Sequence, residues 1–340
     1  MDKTLAICAL GEILIDFTPD GFTGIGYPKY IENPGGGPVN LTAAAASFGA
    51  PAAFIGKIGN DAHGHFAQNC LRDAGVDVSG VVVDPSRGTT LAFVTLQPDG
   101  ERDFTFYRRH EADIALDWAE VDRGLLEKCR IFHIDCLSLT DEPARSATEN
   151  AARYAKSHGA YLSYDPNFRA NLCTDPDAVG RMTRVLDWGV DLVKVSEEEG
   201  AMLTGETEPV KIGSAILSHG AKLVAVTRGK DGAVLVTQAG VYGQNAYPAH
   251  AIDATGAGDT FWGTFLAAFW ETGASLDAFA ADLSAVAACA ARAACAAALC
   301  TEKKGCSVRL NSILVTILSE QRRIISLHIY TCLLYTSRCV

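Results

Sequence analysis

The 340-residue sequence has little positive charge: 29 Lys and Arg stand against 40 Asp and Glu, for a formal net charge of -11. A surface of that sign repels polyphosphate and anionic lipid, so neither a nucleic acid nor a membrane is expected as a partner. One small anion held by a local site is still compatible with it. No uncharged apolar run reaches the roughly 18 residues of a membrane span. The N-terminal MDKTLAICALGEILIDF soon meets Gly11, Glu12 and Asp16 and lacks a signal-peptide cleavage pattern. There are 11 cysteines, but they are scattered and include no CxxC pair. A disulfide framework is therefore not expected, and a reducing, cytoplasmic location is.

What is present suits an ordinary globular protein with a large core: 48% of residues are hydrophobic and 20% charged. Apolar stretches of strand length alternate with helical patterns, which favours α/β architecture with a mainly parallel, doubly wound sheet. Expected strands are Leu5–Leu10, Ala52–Ile58, Ile131–Ile134, Tyr161–Tyr164, Leu192–Val195, Leu223–Thr227 and Ala233–Thr237. Expected helices include Val39–Phe48, Gly64–Ala74, Pro143–Ser157 and Glu197–Leu203. Two segments break the alternation, about 17–33 and 89–107, the second reading as a hairpin turning at Pro98-Asp99-Gly100. Both read as extended antiparallel pieces that form a small β lid over one end of the main sheet. Residues 275–300 carry 13 alanines and read as a closely packed core helix.

The chemistry concentrates in two glycine-rich stretches. In DATGAGD, residues 253–259, Gly256, Ala257 and Gly258 have almost no side chain, so backbone N–H groups can approach an anion at the start of the following helix. Asp259 falls in that helix's first turn. A carboxylate there repels phosphate, but it suits taking a proton from a hydroxyl that attacks one. Helix capping is the alternative role for such an Asp. The second stretch, NPGGGPVNLTAAAASFG, places three glycines before another small-residue helix with Asn40 in its first turn. Close backbone approach there, with the Asn40 amide, suits a polyhydroxylated ligand; a tight strand-to-helix turn is the other reading.

Together with the continuation APAAFIGKIGNDAHGHF, these two motifs resemble the N- and C-terminal signatures of the ribokinase-like (PfkB) carbohydrate kinases, and within them the bacterial fructokinases. The resemblance runs from about residue 5 to Gly305. It implies one ribokinase-like domain over residues 1–305, with the lid inserted, and ATP and Mg2+ as cofactors. It also implies Asp259 as the catalytic base, with Gly256, Ala257 and Gly258 as an anion hole for the moving phosphoryl group. Asp16, Gly35, Gly36, Asn40, Arg108 and Arg169 would line the sugar. Ser196 and Glu199 stand in place of the family's Asn-x-x-Glu motif, which organises magnesium, and Thr227, Gly229 and Gly232 lie where ATP binds. Asp253 and the Thr255 carbonyl would help hold a monovalent cation such as K+, with further ligands from Cys300 through Gly305 and beyond. Lids of this kind often pair between subunits, so a homodimer is expected.

After Gly305 the composition changes: residues 306–340 contain no Ala, Gly, Pro, Asp or Lys. The expectation is an atypical tail whose reading frame is lost near Gly305. The expected function is ATP-dependent phosphorylation of a primary hydroxyl of a sugar, D-fructose to D-fructose 6-phosphate. The alternatives are a 2-keto-3-deoxygluconate kinase, another sugar or nucleoside kinase, or a non-catalytic sugar-binding regulator on the same scaffold.

Overall fold

The computed structural model describes residues 3–96 and 102–302. The expected turn at Pro98-Asp99-Gly100, the loop from Lys303 to Gly305 and the tail 306–340 lie outside the described residues. Within them run thirteen strands: β1 (Leu5–Leu10), β2 (Leu14–Phe22), β3 (Pro28–Gly35), β4 (Ala52–Gly59), β5 (Asp77–Asp84), β6 (Thr90–Leu96), β7 (Arg102–Tyr107), β8 (Cys129–Ile134), β9 (Tyr161–Tyr164), β10 (Leu192–Ser196), β11 (Leu223–Thr227), β12 (Ala233–Thr237) and β13 (Gly240–Gln244). The helices are α1 (Gly37–Ser47), α2 (Ala62–Asp73), α3 (Arg123–Lys128), α4 (Ala144–Ser157), α5 (Ala178–Val185), α6 (Glu197–Thr204), α7 (Pro209–Leu217), α8 (Ala257–Glu271), α9 (Leu276–Ala281) and α10 (Leu283–Thr301).

Nine strands form the main sheet in the order β13-β12-β11-β10-β9-β8-β1-β4-β5. All its pairings are parallel except those of β12 with β11 and β13. Successive side chains point to opposite faces, so Val193 and Val195 enter one apolar core while Leu192 enters the other. Helices cover both faces, as an apolar run buried on both sides demands. The second core gathers Trp262, Phe265 and Phe269 of α8 against Leu41, Ala44 and Ala45 of α1.

The order reverses beside β1: the chain goes from β1 outward to β4 and β5, then resumes on β1's other side with β8. Such a switch point opens a crevice at the C-terminal strand ends, where ligands of open α/β sheets bind. Both parts of the lid rise from that edge, forming a four-stranded sheet in the order β3-β2-β6-β7. Its two hairpins are antiparallel as expected, but the expectation fails at their junction, where β2 and β6 run parallel. The cause is topological, because β2 follows β1 and β6 follows β5, and these parallel strands leave the main sheet in one direction.

The alanine-rich stretch is two helices rather than one. Asp282 interrupts it and caps α10 by accepting from the Ser284 and Ala285 N–H groups. By length and a mean hydropathy of 1.8, α10 could cross a membrane. Here Val286, Cys289, Ala290 and Ala293 are instead buried with the aromatic residues of α8.

Candidate active site

The two glycine-rich stretches meet at the crevice because α1 and α8 pack directly on each other. Gly263 makes the approach possible: a methyl group there would overlap the Leu41 carbonyl. The helix starts are thereby brought side by side, and the Asn40 Nδ2 donates to Asp259 Oδ2 at 2.8 Å across 219 residues of sequence.

The capping reading of Asp259 does not hold. The residue at the N-cap of α8 is Gly256, left-handed at φ 74°, and no side chain caps this helix. Asp259 is thus not a cap; it is a buried carboxylate turned toward α1. The first N–H groups of α8 have no acceptor inside the helix, so Gly258 and Asp259 present backbone amides at the same end. Burial lifts the Asp259 carboxyl to about 6 and nearby Asp165 adds to the rise, while Lys194, Asn40 and Arg169 oppose it. It is therefore mostly ionised at neutral pH, yet close enough to neutrality to take and release a proton.

The glycine turn before α1 is shaped by close approach. Gly36 adopts φ 115°, and a Cβ on it would lie 2.5 Å from the Glu12 carbonyl oxygen. A Cβ on Gly35 would overlap the Asp16 carboxylate, so Asp16 in β2 and the turn share one wall of the crevice. Burial raises the Asp16 carboxyl to about 7, opposed by the charge of Arg169. At neutral pH a carboxyl so placed can both accept from and donate to hydroxyl groups.

The two arginines stand differently. Arg169 is exposed at the mouth, where its charge acts on both Asp16 and Asp259. Arg108 is buried and committed: Nε donates to Asp113 at 2.6 Å, Nη1 to Thr140 Oγ1 at 2.9 Å and Nη2 to the Leu137 carbonyl at 2.9 Å. Its position braces the loops below the crevice.

At the other side of α8, Ser196 and Glu199 form a reciprocal cap of α6, and the second Glu199 oxygen accepts from Phe168 N–H at 2.8 Å. This carboxylate therefore ties α6 to the loop after β9 that carries Asn167 and Arg169. Thr227 ends β11, and Gly229 and Gly232 follow with φ 52° and 90°. Asp253 Oδ1 accepts from Thr255 N–H at 2.8 Å, and the Ile252 and Asp253 N–H groups bond the Thr301 carbonyl. Of the loop expected to give the remaining cation ligands, Cys300 and Thr301 belong to the end of α10, where Cys300 Sγ lies 3.8 Å from the Thr255 carbonyl, and the part from Lys303 on lies outside the described residues.

Sequence reasoning missed Lys194 and Asp165. They form a buried ion pair at 2.6 Å, and a Cβ on Gly258 would lie 3.2 Å from the Lys194 ammonium. A positive charge thus lies directly under the amides at the start of α8. The signal was a single Lys inside the apolar strand LVKV, which in a sheet buried on both faces needs a partner. Glu12 was also missed; its Oε1 accepts from Gly37 N–H at 2.7 Å.

Comparisons with known proteins identify the family. The model of the pfkB family carbohydrate kinases matches residues 5–312. The chain is 38% identical over 309 residues to a probable fructokinase-5 of Arabidopsis thaliana, covering 90% of this chain and 94% of that protein. The fructokinase of Xylella fastidiosa with bound ATP superimposes with a TM-score of 0.84 at 28% identity, covering 93% of this chain and 99% of that one. The fructokinase of Vibrio cholerae O395 in its fructose, ADP and calcium bound form gives 0.82 at 31% identity, covering 93% and 100%. On its fold, its paired glycine-rich elements and these similarities, the chain belongs to the pfkB family of carbohydrate kinases.

Proposed function

We propose that this carbohydrate kinase transfers the terminal phosphoryl group of ATP to D-fructose, giving D-fructose 6-phosphate. The carrying observation is the Asn40–Asp259 hydrogen bond, which joins a sugar-type cradle to an anion-binding helix start at one point. Asp16, Gly35, Gly36 and Asn40 orient the sugar, and Arg169 closes the mouth with its charge. The primary hydroxyl attacks the terminal phosphorus as its proton passes to Asp259. The bond to the leaving oxygen breaks, and ADP departs with that electron pair. Charge on the moving group is stabilised by the amides of Gly256, Gly258 and Asp259 and by Lys194 beneath them, whereas the Ala257 N–H expected to join them is bonded to the Ala254 carbonyl at 3.2 Å.

The residues fit the group to be transferred: a ring of carboxylates alone would repel it, and Lys194 with the open helix start supplies the opposite field. The nucleotide lies along Thr227, Gly229 and Gly232. Mg2+, organised with the help of Ser196 and Glu199, neutralises phosphate charge when bound. A monovalent cation such as K+ would rest on Asp253 and the Thr255 carbonyl. The enzyme acts in the cytoplasm as a homodimer whose lids pair through the exposed Phe22, Ile25 and Tyr27, which are 71%, 78% and 66% accessible. The tail 306–340 we attribute to a lost frame, which the other two frames of the nucleotide sequence test by giving or lacking a family-like, Pro-containing end.

The test is ADP release measured with fructose, ribose, ketodeoxygluconate and nucleosides as acceptors. Fructose should give the highest kcat/KM. A preference for another acceptor overturns the substrate assignment, and no turnover with any of them leaves a sugar-binding regulator.

A further inference from the structure

Two carboxyl groups outside the chemistry described above face each other at the switch point. Glu12 follows β1 and Asp135 follows β8, and both are buried, with 2% and 1% exposure. Glu12 Oε1 accepts from Gly37 N–H, and Asp135 Oδ1 accepts from the Leu137 and Ser138 N–H groups at 3.2 and 3.3 Å. Their other oxygens, Glu12 Oε2 and Asp135 Oδ2, are buried and have no N–H or O–H donor from another group. Both side chains reach one residue: Glu12 holds the Gly37 N–H, and a Cβ on Gly37 would lie 3.6 Å from Asp135 Oδ2. Two ionised carboxylates buried beside one turn repel each other, and neither offers a hydrogen to the other's unpartnered oxygen.

The other ionisable groups around the pair do not supply the missing charge. Arg108 is the nearby cation, and its Nε is bound to Asp113. Cys136, beside Asp135, and Tyr164, at the end of β9, are raised by burial and remain neutral. Asp16 on β2 adds only negative charge.

We propose that Glu12 and Asp135 hold one proton between them, and that this acid–carboxylate bond is a positioning device for the Gly35–Gly37 turn. The connection is short. Glu12 holds the Gly37 amide, Gly37 opens α1, and Asn40 one turn later holds Asp259. Asp135 anchors the other end in the loop whose Leu137 carbonyl and Thr140 hydroxyl receive Arg108. The shared proton thus ties the β1 and β8 ends across the crevice floor, at the level of the residues that orient the sugar. This inference rests on the proposed kinase site for its kinetic consequence, but not for its effect on stability.

Burial raises both carboxyls above their usual range. The folded state therefore holds a proton that the unfolded chain has released above about pH 4. Stability then falls with rising pH until the pair itself ionises. Asp16 and Asp259 add slope of the same sign only up to their own values of about 7 and about 6. The pair's contribution is read on the alkaline side of both.

The experiment compares the full chain with Asp135→Asn and Asp135→Ala, measuring melting temperature and kcat against pH. In Asp135→Asn the amide donates permanently to Glu12. Its kcat should stay within about threefold of wild type, and its melting temperature and kcat should lose the alkaline fall of the parent. Asp135→Ala should lose kcat by about tenfold or more. If that variant does not fold, the asparagine variant alone decides. An alkaline fall of stability in Asp135→Asn equal to wild type, or a kcat loss equal to that of Asp135→Ala, overturns the shared proton. If no acceptor is phosphorylated, the kinase reading fails, while the melting curves still test the pair.

Discussion

Removing the Asn40 amide should move the pH dependence of catalysis in a direction fixed by the Asn40–Asp259 bond. The bond is 2.8 Å long, is buried, and favours the charged form of Asp259, whose carboxyl stands at about 6. A hydrogen bond to a charged group contributes about 1.5–3 kcal/mol, and 1.36 kcal/mol corresponds to one pH unit, so Asn40→Ala should shift the Asp259 limb upward by about one to two pH units. Activity needs the carboxylate, so kcat/KM is lost as pH falls through the limb. At pH 7 the ionised fraction drops from about nine-tenths to between half and one-tenth, a loss of about two- to tenfold from ionisation alone. The assay is ADP release over a pH series, reading the midpoint rather than the height, because Asn40 also belongs to the sugar cradle. An unmoved midpoint in Asn40→Ala would show that this bond does not set the ionisation of the base.

Three further expectations follow from packing and charge. Gly263→Ala places a methyl group against the Leu41 carbonyl and should cost about 1–3 kcal/mol in denaturant unfolding, with kcat lowered because α1 and α8 are pushed apart. Lys57 lies between Asp84 at 3.2 Å and Glu120 at 2.8 Å; Lys57→Met leaves Asp84 with Ser86 and Arg87 as partners and should cost about 1–3 kcal/mol with kcat unchanged, whereas an unchanged stability would show that these partners suffice. Lys194→Met removes the charge beneath Gly258 and should lower kcat by about tenfold or more while leaving sugar affinity near wild type; a pure KM effect would contradict its place under the phosphoryl group.

The sheet was legible because strands buried on both faces read as unbroken apolar runs, and seven of them stand where such runs predict. The edges were not. β5 is half exposed and interrupted by Gly80, and β13 carries two glycines in five residues, so neither shows a clear pattern. α3 and α5 are too short for a helical period to emerge. At the site, glycine before a small-residue helix marked both elements that meet at the crevice, because close backbone approach leaves a local trace. Ionisation left none. Asp259 meets Asn40 only across the packed helices, and the Glu12–Asp135 and Lys194–Asp165 pairs join residues that only the strand order brings together. The parallel contact of β2 with β6 was hidden for the same reason.

The central claim is that Asp259 removes the proton from the attacking hydroxyl. Its direct measurement is kcat for Asp259→Asn with fructose and ATP, alongside the melting temperature. The amide keeps the shape of the side chain but cannot take the proton. Turnover should fall by about 100-fold or more with the fold intact. Near wild-type turnover in a folded Asp259→Asn protein would contradict the account.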